Sequence, residues 1–467
     1  MVPKNILKKR EINKTFQDAI KKETGKKAKY PDKVTIPFRN EMEKNAPRNI
    51  EEIPLKLIRF RKDNGRISTE VATWEKEHWI IKEKTLEGQG RIREFLSKKD
   101  KKINLILKKS LEKFGQKDEA IITCDGFLIN GNRRKMVLDE LSLKHPQNDK
   151  FRTMRVVILP GENEPGGAPS LLEIEEIENR LQLHKEAKAD YKGPDRALSI
   201  RRKRSLGMSL EHQLRDDPLH ANANEKEMNK AKEVMARDYT RPLEIMDMYL
   251  NHFDQAGLYE LVKDRWQSFV DYGIFYHMVK NGSSREKYFN PYDDKNPREF
   301  LEESEIPLVT DAAFNLIRKK QIHGLDTTQK LHTTMRDIKK YLSYKGSKKA
   351  FLKIADIPAE VSPKKMSILL KNDASIREIE DEWSGETGSQ FTRCMLDTLR
   401  EYRSSKTSEK PKDKTKRMLK FIKDINMEDI PDKYEATELM KLWEEAVEEL
   451  EKLIERTEHH RQELEKK

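Results

Sequence analysis

The sequence predicts an α+β protein: a small α/β domain near the N-terminus, then a large, mostly α-helical region that ends in an amphipathic helix. Three observations predict it. Short β-branched runs alternate with helical patterns only between positions 53 and 160. From 171 onward apolar residues recur at helical spacing, and strand-like runs are hard to find. Charged residues make up 38% of the chain and AVILMFWYC residues only 35%, a composition suited to helices with thick polar faces. At 467 residues the chain exceeds what a single core organises, so roughly two to four compact units are expected.

Positions 1–50 hold 14 basic and 6 acidic side chains, a local charge of +8, with Pro3, Pro31, Pro37 and Pro47 and no sustained periodicity. They read as a basic flexible arm. The α/β domain is placed at 51–165, with extended runs at IPLKLIRF, AIITC, FLI and MRVVILP and helical patterns over 104–114 and 133–143. Asp125-Gly126 supplies the positive φ of a two-residue hairpin turn, which pairs 120–123 with 127–129. GENEPGGAPS at 161–170 then punctuates the chain and closes the domain.

A helical region at 170–250, containing a helix-turn-helix-like stretch, is expected to carry helices over 171–190, 195–205, 209–215, 224–239 and 242–253. Ser209 is the expected N-cap of the third. A further helical domain spans 251–384. Positions 385–432 read as a linker, within which 403–417 carries 7 basic and 2 acidic residues. The last segment, 433–467, repeats apolar or small residues at alternating spacings of four and three: Leu439, Trp443, Ala446, Leu450, Leu453, Thr457, His460 and Leu464. It is an amphipathic or coiled-coil helix that either joins two chains as a homodimer or packs on its own chain.

Net charge is +12, yet positions 421–467 hold 8 basic and 15 acidic residues, a local −7. That polarity suits a polyanion, DNA above all, at one end and a protein element at the other. Cys124 and Cys394 lie far apart without CxxC or Cys/His spacing, which excludes a disulfide framework and a structural zinc site. No apolar run approaches a membrane span, and the Lys-rich N-terminus has no apolar stretch behind it, so no membrane partner and a cytoplasmic location are expected. P-loop, HExxH, GxSxG and strand-to-helix GxGxxG patterns are absent from the sequence.

The segment richest in chemistry is DGFLINGNRR, 125–134: a strand that bends at Gly131 straight into a helix starting near Arg133, with Asn132 placed to cap it. A helix N-terminus exposes unpaired N–H groups and the positive end of the dipole, where Asp and Glu are favoured. Arg133 and Arg134 there suit a bound anion, because free N–H groups and charge-assisted guanidinium forks converge on phosphate oxygens. Alternatively, both arginines reach into water from a solvated helix start. Ile200-Arg201-Arg202-Lys203-Arg204 is a compact basic run on a helix, either a sequence-independent phosphate contact or a solvated face.

With its surroundings, this segment resembles the ParB/sulfiredoxin-like superfamily. The resemblance rests on Ile53-Pro54-Leu55-Lys56-Leu57-Ile58, on DGFLINGNRR, and on Arg155-Val156-Val157-Ile158-Leu159-Pro160, and covers about 51–215. In the ParB branch the turn reads GERR and works with an ENxxR-type helix motif to bind CTP and Mg²⁺. Here Asn132 replaces the Glu, and Glu178-Asn179-Arg180-Leu181-Gln182 resembles the helix motif. The resemblance therefore implies Mg²⁺ with CTP or ATP, held by Gly131, Asn132, Arg133, Arg134, Asn179 and Gln182. Glu178 is the remaining carboxylate for metal binding and catalysis, and Arg201, Arg202, Lys203 and Arg204 would face nucleic acid. The sulfiredoxin branch has a catalytic Cys in this turn as GCHR; Asn132 occupies that place, which argues against sulfinic-acid reduction.

Three functions follow. The first is a ParB-like nucleoside-triphosphate-binding protein acting on DNA, with slow CTP or ATP hydrolysis. The second is a metal-dependent DNA nuclease using a carboxylate beside a phosphate site. The third is a non-catalytic DNA-binding or assembly protein.

Overall fold

A computed structural model of the chain describes residues 10–25, 32–39, 41, 46–183, 193–293, 297–320, 331–407 and 433–465, with three isolated positions between the last two spans. The chain divides into a unit over Met1–Tyr402 and a second over Arg403–Lys467. The first mixes a five-stranded sheet with many helices, an α+β arrangement.

The elements in chain order begin with α1 (Lys14–Glu23), β1 (Lys33–Val34), β2 (Arg48–Pro54), α2 (Ser68–Glu77), α3 (Leu86–Lys98) and α4 (Lys101–Phe114). Then come β3 (Ala120–Ile122), β4 (Leu128–Asn130), α5 (Asn132–Lys144), β5 (Thr153–Ile158) and α6 (Leu171–Leu183). The sheet order is β1-β2-β5-β3-β4, antiparallel except for the β3/β5 pair.

Both faces of the sheet are covered, which explains why its strands read as near-continuous apolar runs. Successive side chains alternate between faces. Ala120, Ile122, Leu128, Met154 and Val156 enter one core beneath α3, α4 and α5, while Ile121, Ile129 and Val157 enter another beneath α6. The expected pairing of the two strands forms, but through a three-residue loop, Cys124-Asp125-Gly126, in place of the expected two-residue turn: the Gly126 N–H donates to the Thr123 carbonyl at 2.9 Å, Gly126 takes φ +85°, the Thr123 N–H donates to the Phe127 carbonyl at 2.9 Å, and Ile122 pairs with Leu128. The IPLKLIRF run behaves differently. β2 ends at Pro54, and Leu55–Leu57 form a 3-10 turn, since proline withholds the N–H that a ladder would use.

Part of the expected flexible arm is also ordered. Asn13 caps α1 through the Phe16 N–H, and Ile20 is buried in the core. The Asp125 carboxylate, fully buried, accepts from Arg10 at 2.6 Å, from the Asn13 N–H at 3.1 Å and from the Thr123 hydroxyl at 2.7 Å. The Arg10 guanidinium also lies over the Phe127 ring. Composition concealed this anchor because its acceptor is more than a hundred positions away.

Beyond the sheet come α7 (Pro194–Ser205), α8 (Leu210–Arg215), α9 (Glu225–Met235) and α10 (Arg241–His252). The Ser209 hydroxyl caps α8 by accepting from the His212 N–H at 3.1 Å, and Asn224 opens α9 with a capping box. A π-turn over Ala236–Thr240 runs α9 into α10. Residues 184–190 of the expected 171–190 helix lie outside the described residues. The helical body continues with α11 (Trp266–Lys280), α12 (Gly282–Tyr288), α13 (Ile306–Lys319), α14 (Leu331–Tyr341), α15 (Lys345–Leu352), α16 (Pro363–Lys371), α17 (Ile376–Glu386) and α18 (Gly388–Thr407). They surround one large core that includes Tyr249, Tyr272, Phe314, Phe351 and Trp383.

The boundary expected at 161–170 separates sheet from helices but not two bodies. The Thr69 N–H on α2 donates to Asp195 on α7 at 3.1 Å, and the Glu260 N–H donates to the Thr73 hydroxyl at 2.9 Å. Nor does a linker begin at 385, because Phe391 and Met395 bury α18 against the helical core. In the second unit, α19 (Lys433–Glu465) is a single 33-residue helix whose Leu442, Val447, Leu453 and Ile454 are exposed. Among the described residues, no helix is long and apolar enough to cross a membrane.

Candidate phosphate-binding site

β4 delivers the chain to Gly131, whose φ of +102° turns it directly into α5. A Cβ there would sit 2.7 Å from the Ala120 Cβ and 3.0 Å from the Met154 side chain, so only glycine allows this close approach to β3 and β5. Gly131, rather than Asn132, is the N-cap, and Asn132 is the first helical residue. No side chain caps the helix and no acidic residue occupies its first turn. The first N–H groups of α5 therefore lack intrahelical partners, and its own first turn offers the dipole no anion.

A cavity of about 170 Å³ opens at this helix start. Gly131, Asn132, Arg133, Arg134, Glu178 and Gln182 are on its wall, so the turn and two of the three expected helix-motif residues do meet. Sequence reasoning missed Asn64, Arg66 and Asp118, which also line it. They come from a 3-10 turn after β2 and from the segment before β3, and no local pattern marks them.

The cavity is electrostatically unbalanced. Arg66 pairs with Asp100 at 3.0 Å, and Arg134 donates to the Asp118 carbonyl. The Arg133 Nη1 nitrogen is buried with no hydrogen-bond partner among the described residues. Burial pushes its pKa down to about 10, and the neighbouring Arg66 and Arg134 charges act in the same direction against Asp100. Asn132 is 7% exposed, and its Oδ1 is likewise buried without a partner.

Glu178, the carboxylate expected to serve catalysis and metal, is committed elsewhere. It is 3% exposed; one oxygen accepts from the Gly65 N–H at 3.1 Å, and the other meets Arg61 and, at 3.5 Å, Arg202. Burial alone would raise its pKa, but Arg61, Arg202 and Lys203 hold it below the usual carboxylate range. It is thus the anion of a buried network that also contains Glu175. Asn179 points away from the cavity. Its amide donates to the Gln213 carbonyl at 3.0 Å and to Asp216 at 2.9 Å, and its oxygen accepts from Lys203 at 3.1 Å.

The same network accounts for the basic run. Arg202 binds Glu175 at 2.8 Å, Lys203 is buried against Asn179, and Arg201 pairs with Asp247 and with the Tyr259 hydroxyl at 3.2 Å. Facing acidic and basic helices neutralise each other, so of the expected nucleic-acid residues Arg204 alone is exposed without a partner among the described residues. No three His, Cys, Asp or Glu side chains among the described residues form a metal-binding group. Cys124 is buried, and its thiol is pushed up to about 11, first by burial and then by Asp125.

No family model matches the chain, and no curated protein or solved structure matches it.

Proposed function

We propose that the 131–134 turn grips the phosphates of a nucleotide, and that the protein is a ParB/sulfiredoxin-like nucleotide-binding protein acting on nucleic acid. One observation carries this reading: Arg133, in the uncapped first turn of α5, has a buried nitrogen without a partner among the described residues and lines a cavity together with Arg66 and Arg134. An unpaired buried donor costs roughly 1–3 kcal/mol, and a phosphate oxygen would remove that penalty. The orphaned Asn132 oxygen needs a donor, which a ligand hydroxyl supplies.

Size limits what enters. About 170 Å³ falls below the roughly 300–1,000 Å³ of sites that enclose whole ligands, so the phosphates sit inside and the base and sugar outside. Metal is expected to travel with the ligand, because the described residues do not fit a resident Mg²⁺: Glu178 is neutralised by Arg61 and Arg202. The same commitment favours binding over hydrolysis or nuclease chemistry, either of which would need that carboxylate free.

The test is calorimetric titration with CTP, ATP and inorganic pyrophosphate, each with and without Mg²⁺. Pyrophosphate should compete with the nucleotide, and Arg133→Ala and Arg134→Ala should each weaken binding about tenfold or more. Affinity unchanged in both variants would reject the site.

A further inference from the structure

A net charge of +12 must be displayed somewhere, and the run at 201–204 is largely neutralised internally. One place where it is free is the outer flank of α4. Lys101, Lys102, Lys109 and Lys113, with Lys117 just beyond the helix, have no carboxylate partner among the described residues. Lys108 does, pairing with Glu140 at 2.8 Å. Lys102, Ile106, Lys109 and Lys113 are spaced four, three and four apart, so they form one stripe about 16 Å long.

Apolar side chains interleave with these charges. Ile103, Ile106 and Phe114 are 38%, 68% and 60% exposed, and Lys113 and Lys117 lie 5.0 and 4.9 Å from the Phe114 ring centre. α4 is held down by its other side, through buried Asn104 and Leu111. Leu107 lines the phosphate cavity, so stripe and cavity share this helix.

We propose that the outer flank of α4 is a landing surface for single-stranded nucleic acid. Its lysines take backbone phosphates, and Ile103, Ile106 and Phe114 offer apolar faces to unstacked bases. A duplex hides its base faces and would leave these three side chains nothing to touch. A lipid surface needs a continuous apolar band, but Lys102, Lys109 and Lys113 run down the outward face of α4 between Leu105, itself 55% exposed, on one side and Ile103 and Phe114 on the other, so the exposed apolar side chains do not join into one band. This surface operates whether or not the cavity holds a nucleotide.

The experiment measures fluorescence anisotropy of a labelled oligodeoxythymidylate on the full chain across a salt series. The Lys102→Ala/Lys109→Ala/Lys113→Ala variant should bind about tenfold or more weakly, and its log–log salt slope should be shallower by about 2, at roughly 0.7 for each phosphate that is no longer neutralised. Phe114→Ala should weaken binding about fivefold or more without changing that slope. Every substituted residue is exposed or half-exposed, so folding is preserved, and circular dichroism verifies it. The proposal is overturned by an unchanged triple variant, by equal affinity for a duplex of the same length, by loss of binding in Arg204→Ala instead, or by binding to phosphatidylserine vesicles but not to the oligonucleotide. Nucleotide affinity measured on the same triple variant separates this surface from the cavity: it should be unchanged.

Discussion

Replacing Arg133 with Met keeps most of the apolar stem but removes the charge and its donors. In the free protein the Nη1 nitrogen is buried without a partner and two other arginines line the same cavity. Relieving an unsatisfied buried donor is worth roughly 1–3 kcal/mol, so Arg133→Met should be at least as stable as the natural protein and up to about 2 kcal/mol more so. For a unit this large that amounts to a rise in Tm of a few degrees at most, about 1–4 °C. Ligand should separate the two proteins in the opposite sense. At about 100 times Kd a bound ligand stabilises the natural protein by about 2.7 kcal/mol, and the Met variant should lose most of that gain. The assay is thermal and urea unfolding of both proteins, with and without saturating pyrophosphate or CTP. A free variant destabilised by about 1 kcal/mol or more, still stabilised fully by ligand, would make Arg133 a packing residue and refute the reasoning. A pH series adds a second check. Since the Arg133 pKa is lowered to about 10, the guanidinium stays charged at neutral pH, and anion affinity should fall as pH rises through about 10.

Three other outcomes are expected. Gly131→Ala forces a side chain into positive φ and against Ala120, so it should destabilise by about 1–3 kcal/mol or more, by urea unfolding, and weaken ligand binding with it. Asp125→Ala strands the Arg10 cation and frees the Asn13 N–H; limited trypsin digestion should then cut faster at Lys14, Lys21 or Lys22, exposed side chains on the helix that Asp125 anchors. Asp195 is a pH-dependent group, its pKa raised from 3.8 to about 6, chiefly by burial and against the Lys99 charge 2.5 Å away. A raised carboxylate makes the folded state the better proton acceptor, so its contribution to stability falls as pH rises between those values. Asp195→Asn should flatten the stability profile in that window, and an unchanged profile would place the titration elsewhere.

Local patterns made much of the fold legible. The Asp-Gly dipeptide fixed the β3/β4 hairpin, because positive φ at Gly126 is a backbone requirement that the chain states outright. Ser209 and Asn224 marked real helix starts, since capping is satisfied within three residues. Gly131-Asn132-Arg133-Arg134 likewise marked a helix start, although the helix begins at Asn132, one residue earlier than expected, with Gly131 as its N-cap. Function assigned to charge alone fared worse. Arg202, Lys203 and Glu178 look like surface groups in the sequence, yet each is part of an ion network between α6, α7 and the loop carrying Arg61 and Gly65.

Local chemistry along the chain was enough to place several backbone turns and most of the helices before residue 254, and to show that one helix begins without an acid at its positive end. Those properties depend on neighbours a few positions away. Which charges are spoken for was settled by long-range packing. It placed Arg66 and Asp118 beside a turn far from them in the chain, gave Glu178 to Arg61, buried Lys203, and left the lysines of α4 facing water. Whether a charge is free depends on what folding brings within a few ångströms of it, and sequence spacing carries no record of that.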